Sequence, residues 1–300
     1  MASPNGADFA RQQVIRARLA RLGSGFIPLR LPEAAEQSIP QRFEQQVRLY
    51  PNRVAVKAGA QALTYQALNQ AANRLAHALL SQRGSKPEPV ALLLEDIAST
   101  VAALLGVLKA GKFFVVLDPA LPHARLAATL EDSQASLLVT DRHLQSVAAE
   151  LVAPTGCQLL DLDHLEAHPC AGADPGLPLS PDTLAAIIYT SGSTGQPKGV
   201  LQTHRTLLHR FVVETNNFRF DPEDKLPMFQ SLSTVAAMRN VLCALLNGAA
   251  LLPFDPRKEG VAEITDWLLQ EGVTHLHSTP SLFRRWADTL TGGEKFPALR

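Results

Sequence analysis

Cysteine is scarce in this sequence, and neither sign of charge is in excess. The three cysteines, Cys157, Cys170 and Cys243, are too few and too scattered for a disulfide framework or a zinc site built on cysteine. Lysine plus arginine and aspartate plus glutamate number 28 each, so no overall electric field favours nucleic acid or an anionic membrane. We therefore expect a reducing, cytoplasmic setting and no nucleic-acid partner.

Long apolar runs are also missing. No window reaches the roughly 18 apolar residues of a membrane span, and no signal peptide with an apolar central region is found. Hydrophobic residues still make up 46% of the 300 residues, which is enough for the core of one large or two ordinary domains. The composition predicts a globular protein with no membrane span.

The first 38 residues differ from the rest. Arginines and apolar residues share helical spacing between Ala10 and Leu22, which predicts an amphipathic helix that ends near Gly23. A targeting peptide is also rich in arginine, but we favour a linker or docking helix. Residues 1–38 are therefore interpreted as an N-terminal extension or linker, and residues 39–300 as the start of the main domain.

From Pro40 onward, strand-like and helix-like segments alternate. The predicted strands cover residues 54–56, 63–65, 90–94, 113–117, 137–140, 158–160, 185–189, 200–203, 249–252 and 274–277. Most of them are separated by segments of helical period, and the last four predicted helices cover residues 205–216, 238–246, 261–270 and 281–290. Such alternation predicts an α/β fold with mostly parallel sheets flanked by helices.

One loop, TSGSTGQPKG from Thr190 to Gly199, has a composition that indicates a function. It carries four hydroxyls, three glycines and one lysine between two apolar segments. Glycines allow a positive φ and a close approach to a ligand, successive N–H groups can form an anion-binding nest, and Lys198 adds a positive charge. A polyphosphate is the expected ligand, and a flexible surface hairpin is the alternative. The Walker A pattern does not fit, because a strand-like VLQT follows the lysine.

This loop closely resembles the phosphate-binding signature of the adenylate-forming superfamily, which includes acyl-CoA synthetases, luciferases and the adenylation domains of non-ribosomal peptide synthetases. LTYQAL at residues 63–68 and LKAGKFFVVLD at residues 108–118 resemble two earlier motifs of that family, in the same order. The resemblance covers about residues 39–300 and implies the N-terminal subdomains of the family's fold. The family's adenine and ribose contacts and its catalytic lysine would follow Arg300. We therefore expect little or no adenylation activity from these 300 residues alone.

The resemblance also implies a reaction. A carboxylic acid attacks the α-phosphorus of MgATP to give an acyl-adenylate, and a phosphopantetheine thiol of a carrier protein, or CoA, takes the acyl group. The implied Mg²⁺ would be held largely by residues that are not in this sequence, and no metal ligand or catalytic residue is assigned here. The implied phosphate-binding residues are Thr190, Ser191, Gly192, Ser193, Thr194, Gly195, Lys198 and Gly199.

A second resemblance concerns the acyl pocket. TVAAMRNVLCALLNGAAL at residues 234–251 is similar to the family segment whose aspartate binds the α-ammonium group of amino-acid substrates. Alignment without a gap places Val235 at that aspartate, and a buried ammonium without a carboxylate is costly. We therefore expect an acid without an α-amino group: a hydroxy, keto, aryl or fatty acid. Ala236, Arg239 and Ser278 would line the same pocket, with Arg239 either pairing with a second carboxylate or polar group or facing solvent.

Several interpretations stay open at this point. The leading hypothesis is an adenylation domain of a non-ribosomal peptide synthetase or a related ligase. The alternatives are a stand-alone acyl-CoA or acyl-carrier-protein ligase and a non-catalytic ATP- or acyl-binding scaffold. Gln230 stands where acyl-CoA synthetases often carry a histidine, which weakens a match to that branch. For the pair His275 and His277, and for the group His164, His168 and Cys170, structural roles are favoured over a metal site.

Overall fold

Ten strands and nine helices are found in the part of the chain that the computed structural model describes, namely Leu29 and residues 36–165, 172–191 and 197–300. The strands are β1 Val54–Ala58, β2 Gln61–Thr64, β3 Pro89–Leu93, β4 Phe113–Val116, β5 Leu137–Thr140, β6 Gln158–Asp161, β7 Leu184–Ser191, β8 Pro197–Thr203, β9 Lys225–Met228 and β10 Ala250–Pro253. The helices are α1 Ile39–Leu49, α2 Tyr65–Arg83, α3 Ile97–Lys109, α4 His123–Ser133, α5 Gln145–Val152, α6 His204–Phe218, α7 Val235–Leu245, α8 Ile264–Glu271 and α9 Pro280–Ala287. The helix predicted between Ala10 and Leu22 lies outside the described residues.

The strands form two sheets. The six-stranded sheet has the order β6-β5-β3-β4-β7-β8 and is parallel except for the β7–β8 hairpin. The four-stranded sheet has the order β2-β1-β10-β9 and is parallel except for the β1–β2 hairpin. The predicted fold class, mostly parallel sheets flanked by helices, is therefore confirmed.

Helices cover both faces of the six-stranded sheet, as parallel strands require. Along β3 the side chains alternate: Val90 and Leu92 face the large core that contains α2 and α3, whereas Ala91 and Leu93 face the core that contains α4 and α5. The large core also includes side chains of the four-stranded sheet, so α2 and α3 join the two sheets.

The two earlier motifs have packing roles. Tyr65 is fully buried, and its hydroxyl donates a 2.7 Å hydrogen bond to the carbonyl of Ala249. Gly111 has φ 71° directly after Ala110, the C-cap of α3, and is the residue that ends this helix. Lys109, with 1% of its side chain exposed, lies 2.6 Å from Glu44 and 2.7 Å from Asp174.

Two strand predictions differ from the structure. Residues 225–228 form β9, which the sequence did not predict because Pro227 interrupts the segment; β9 is an edge strand, where proline is tolerated. The strand predicted at residues 274–277 is wrong. There the hydroxyl of Thr274, rather than a backbone carbonyl, accepts the N–H of Lys225, so no regular ladder forms.

The ends of two elements are also informative. Helix α7 begins at Val235, three residues before the predicted start at Met238, because the hydroxyl of Thr234 caps it by accepting the N–H of Ala237 at 3.2 Å. Helix α1 begins at Ile39 with a capping box formed by Ser38 and Gln41.

The division of the chain at residues 38 and 39 stays a prediction. None of the described helices combines the length and the apolar character that crossing a bilayer requires.

Candidate nucleotide and acyl site

The β7–β8 hairpin carries the ends of the predicted phosphate-binding loop. Thr190 lies directly opposite Lys198 in the ladder, and both residues are exposed. Side chains of directly opposite residues project from the same face of a sheet, so a hydroxyl and an ammonium group face the same side. Gly192, Ser193, Thr194 and Gly195 lie outside the described residues, and Ser191 is described only as the backbone end of β7.

The other face of the hairpin is packed. The ring of Tyr189 lies against Gly199, where an added Cβ would be 3.1 Å from the ring and 2.8 Å from Cγ2 of Ile187. The hydroxyl of Tyr189 donates a 2.6 Å hydrogen bond to Asp132 on α4. Gly199 does not use the positive φ that glycine allows, because its φ is outside that region. Glycine is needed there because the neighbouring side chains leave no room for a Cβ.

The predicted acyl-pocket residues lie at the start of α7 and before α9. Val235 is the first residue of α7 and is 39% exposed, and Ala236 follows it. Ser278 precedes Thr279, the N-cap of α9, and its hydroxyl donates to the Thr279 carbonyl at 3.2 Å. Arg239 lies one turn further along α7.

Arg239 lines a cavity of about 110 Å³ together with Glu214, His277 and nine other residues. Its Nη1 lies 3.6 Å from Glu214 Oε1, and its Nη2 contacts His277 Nδ1. Burial lowers the pKa of His277, and the charge of Arg239 lowers it further, so this imidazole is neutral at pH 7. Of the four predicted acyl-pocket residues, this cavity contains Arg239.

A second, larger cavity of about 420 Å³ lies at the N-terminal end of α9 and is lined by residues that include Phe229, Gln230 and Thr279. Both side-chain amide atoms of Gln230 are buried and have no hydrogen-bond partner among the described residues. A buried amide without a partner is unfavourable, which makes Gln230 a candidate for contact with a bound molecule. Val235, Ala236 and Ser278 line neither of the two cavities.

His275 and His164 each lie beside a carboxylate of the protein and are not arranged as ligands of a metal ion. His275 Nδ1 lies 3.2 Å from Asp224, and His164 Nδ1 lies 2.9 Å from Asp161. Within residues 36–165, 172–191 and 197–300, no cluster of three or more His, Cys, Asp or Glu side chains could hold a metal ion. His168 and Cys170 lie outside the described residues.

Comparison with known proteins identifies the family of the chain. The family model described as AMP-binding enzyme matches residues 43–300. The chain belongs to this family. The AMP-binding enzymes are the adenylate-forming superfamily that the loop resembles, so that prediction is confirmed.

The relatives of this AMP-binding chain are much longer proteins. It is 32% identical over 287 residues to tyrocidine synthase 3 of Brevibacillus parabrevis, covering 91% of this chain and 4% of that protein. It is 36% identical over 260 residues to surfactin synthase subunit 2 of Bacillus subtilis (strain 168), covering 86% of this chain and 7% of that protein. The chain therefore spans a small fraction of these relatives.

Solved structures agree with this assignment. The non-ribosomal peptide synthetase FmoA3 (S1046A) in its AMPPNP-bound form superposes with a TM-score of 0.80 at 26% identity, covering 92% of this chain and 29% of that chain. The form of FmoA3 bound to α-methyl-L-serine-AMP superposes with a TM-score of 0.77 at 28% identity, covering 89% of this chain and 30% of that chain.

Three residues near the candidate site of this AMP-binding chain were not found from its sequence. Asp132, Glu214 and His277 contact Tyr189 or Arg239. Glu214 follows Arg210 by four residues, a spacing typical of a surface ion pair on a helix, and so gave no signal of its contact with α7. From the sequence, His277 is noted only as one of a pair of histidines for which a structural role is favoured over a metal site.

Proposed function

We propose that the natural protein containing this chain activates a carboxylic acid without an α-amino group as an acyl-adenylate, using ATP and Mg²⁺. It then passes the acyl group to a phosphopantetheine thiol, in non-ribosomal peptide or related biosynthesis. The family and its non-ribosomal peptide synthetase relatives support the activation of an acid. The choice of acid and the carrier-protein partner are our inference.

The β7–β8 hairpin supports the nucleotide part of this proposal. Thr190 and Lys198 present a hydroxyl donor and a cation on one exposed face. These groups fit the oxygens of a polyphosphate, whose charge must be neutralised while pyrophosphate leaves. We assign the hydroxyls of Ser191, Ser193 and Thr194 and the turn at Gly192 and Gly195 to the same phosphates, as the resemblance implies.

The choice of acid rests on the position of Val235. It is the first residue of α7, and the N-terminal end of a helix is the positive end of its dipole. An α-ammonium group near this end needs a carboxylate, and valine supplies none. In this proposal Ala236 and Ser278 complete the acyl pocket with Arg239.

ATP–pyrophosphate exchange by the natural protein tests the proposal. The panel pairs each α-amino acid with the 2-hydroxy and 2-keto acid of the same side chain and adds aryl and fatty acids. We expect exchange with acids that lack the amino group, and a clear preference for any α-amino acid would contradict the choice of acid. Exchange with none of the acids would contradict the activity itself.

A variant pair sharpens the assignment of Val235. Val235→Asp restores a carboxylate, so we expect it to shift the ratio of exchange rates toward the α-amino member of a pair. Val235→Asn is the matched control, because it has nearly the same shape without the charge. Equal ratios in the two variants would show that Val235 does not line the acyl pocket.

A further inference from the structure

The charge of Arg239 is already compensated inside the protein. Only 13% of the Arg239 side chain and 16% of the Glu214 side chain are exposed, and their nearest charged atoms lie 3.6 Å apart. Breaking such a buried pair leaves an uncompensated charge, which is strongly unfavourable. The charge of Arg239 is therefore not available to neutralise an acidic ligand.

The other ionisable groups around the 110 Å³ cavity are either paired or uncharged. Arg300 lies 3.2 Å from Asp221 and contacts Asp224, and His275 lies 3.2 Å from Asp224. Burial raises the pKa of the Cys243 thiol to about 12, so it is uncharged at pH 7. Outside the cavity, Arg210 lies 3.8 Å from Glu214, but 54% of its side chain is exposed to solvent, which screens it.

The cavity is small, and its lining combines polar and apolar side chains. Arg239, Asn240 and His277 supply hydrogen-bonding groups, while Phe218, Phe220 and Leu226 form an apolar wall. Its volume of about 110 Å³ is below the roughly 150 Å³ of an engineered cavity that holds benzene. A short chain with one polar terminal group fits these dimensions.

We infer that this cavity receives the end of the substrate's side chain, that this end is short and uncharged, such as a hydroxyl or a carboxamide, and that Glu214 excludes acids with a second carboxylate. The inference rests on the proposed function, since it concerns the acid that is activated. A second carboxylate beside Arg239 would also lie beside Glu214, and two like charges in a buried site repel strongly. A neutral group can accept a hydrogen bond from Arg239 without displacing Glu214.

The test compares three acids of equal length in ATP–pyrophosphate exchange by the natural protein. They carry a terminal hydroxyl, a terminal carboxamide or a terminal carboxylate, and none has an α-amino group. We expect the dicarboxylic acid to have a kcat/KM at least ten-fold lower than the two neutral acids. If the wild-type protein used the dicarboxylic acid as well as the neutral acids, the inference would be overturned.

The variant Glu214→Gln assigns the effect to Glu214. It frees the charge of Arg239, so we expect the ratio of dicarboxylic to neutral acid to rise at least ten-fold. Glu214→Asp keeps the charge and should preserve the exclusion, and it is the second variant if Glu214→Gln does not fold. Arg210→Gln removes the exposed partner of Glu214 without touching the cavity, so the ratio should stay unchanged.

The outcomes separate the two proposals. If none of the three acids, nor any acid of the wider panel, supports exchange, the proposed function fails. If exchange occurs but Glu214→Gln leaves the ratio unchanged, or Glu214→Asp loses the exclusion, only the inference on Glu214 fails.

Discussion

Tyr189 and Asp132 lie 57 positions apart in the sequence, and the phenolic hydroxyl of Tyr189 donates a 2.6 Å hydrogen bond to Oδ2 of Asp132. This contact joins β7, the strand that leads into the predicted phosphate-binding loop, to the last turn of α4. The ring of Tyr189 also covers Gly199 on β8, so a single side chain contacts α4 and both strands of the hairpin. The stem of the loop is therefore held by contacts on its packed face, while Thr190 and Lys198 stay exposed on the other.

Removing this hydrogen bond should loosen the stem. Tyr189→Phe keeps the ring against Gly199 but leaves the Asp132 carboxylate without its donor. We expect it to lower the free energy of unfolding by about 1 kcal/mol, measured by urea denaturation, and to raise the KM for ATP in exchange by the natural protein. Tyr50→Phe is the matched control, since the Tyr50 hydroxyl makes no hydrogen bond within the described part of the chain. An unchanged KM for ATP would show that this contact does not influence nucleotide binding.

Gly199 should not accept even a methyl group. In Gly199→Ala the new Cβ would lie 2.8 Å from Ile187 Cγ2 and 3.1 Å from the Tyr189 ring, so the ring or the strand must move. We expect a loss of about 1 to 3 kcal/mol in the free energy of unfolding, as for other overpacked sites, together with reduced exchange. Gly293→Ala is the control, because nothing lies within 4 Å of its added Cβ. Equal stability of the two variants would contradict the packing account of Gly199.

The buried ion pairs of Lys109 should matter far more than ion pairs at the surface. Lys109→Met leaves Glu44 and Asp174, which lie 2.6 Å and 2.7 Å from its amino group, without their cation. We expect a loss of about 3 to 5 kcal/mol in the free energy of unfolding. Lys258→Met removes a pair whose side chains are 68% and 50% exposed, so its loss should stay below about 1 kcal/mol. Similar losses in both variants would show that burial does not determine how much these ion pairs contribute to the free energy of unfolding.

The sequence predicted most of the fold and only part of the candidate site, and the reasons are physical. Strands such as β3 are continuous apolar runs because both of their faces are buried, and that pattern is visible in sequence.

What the sequence did not predict depends on tertiary partners. β9 contains Pro227 and forms only because it lies at a sheet edge. Residues 274–277 have the composition of a strand, but the Thr274 side chain takes the place of a backbone partner. The pairing of Glu214 with Arg239 joins α6 to α7, and no local pattern indicates a contact of that kind.

Glu88 gives the fold a pH dependence with a defined direction. The hydrogen bonds from Arg83, aided by Lys112 and Ser136, lower its pKa from the usual 4.5 to about 2. Because the folded-state pKa is below the unfolded one, the stabilisation is complete above about pH 5 and is lost as the pH falls toward 2. Solvent screens this partly exposed group, so we expect the contribution to be about 1 to 2 kcal/mol rather than the value of the full shift.

The variant Glu88→Gln isolates this contribution. It removes the titrating group, so its stability should be lower than wild type at pH 7 and should fall less steeply between pH 5 and pH 2. Urea denaturation at several pH values measures both slopes, and Glu259→Gln, at an exposed position, serves as the control. A variant that loses stability as steeply as wild type over this range would show that Glu88 is not a source of the acid sensitivity. The acid-sensitive group would then have to be sought away from the contact between Glu88, just before β3, and Lys112, just before β4.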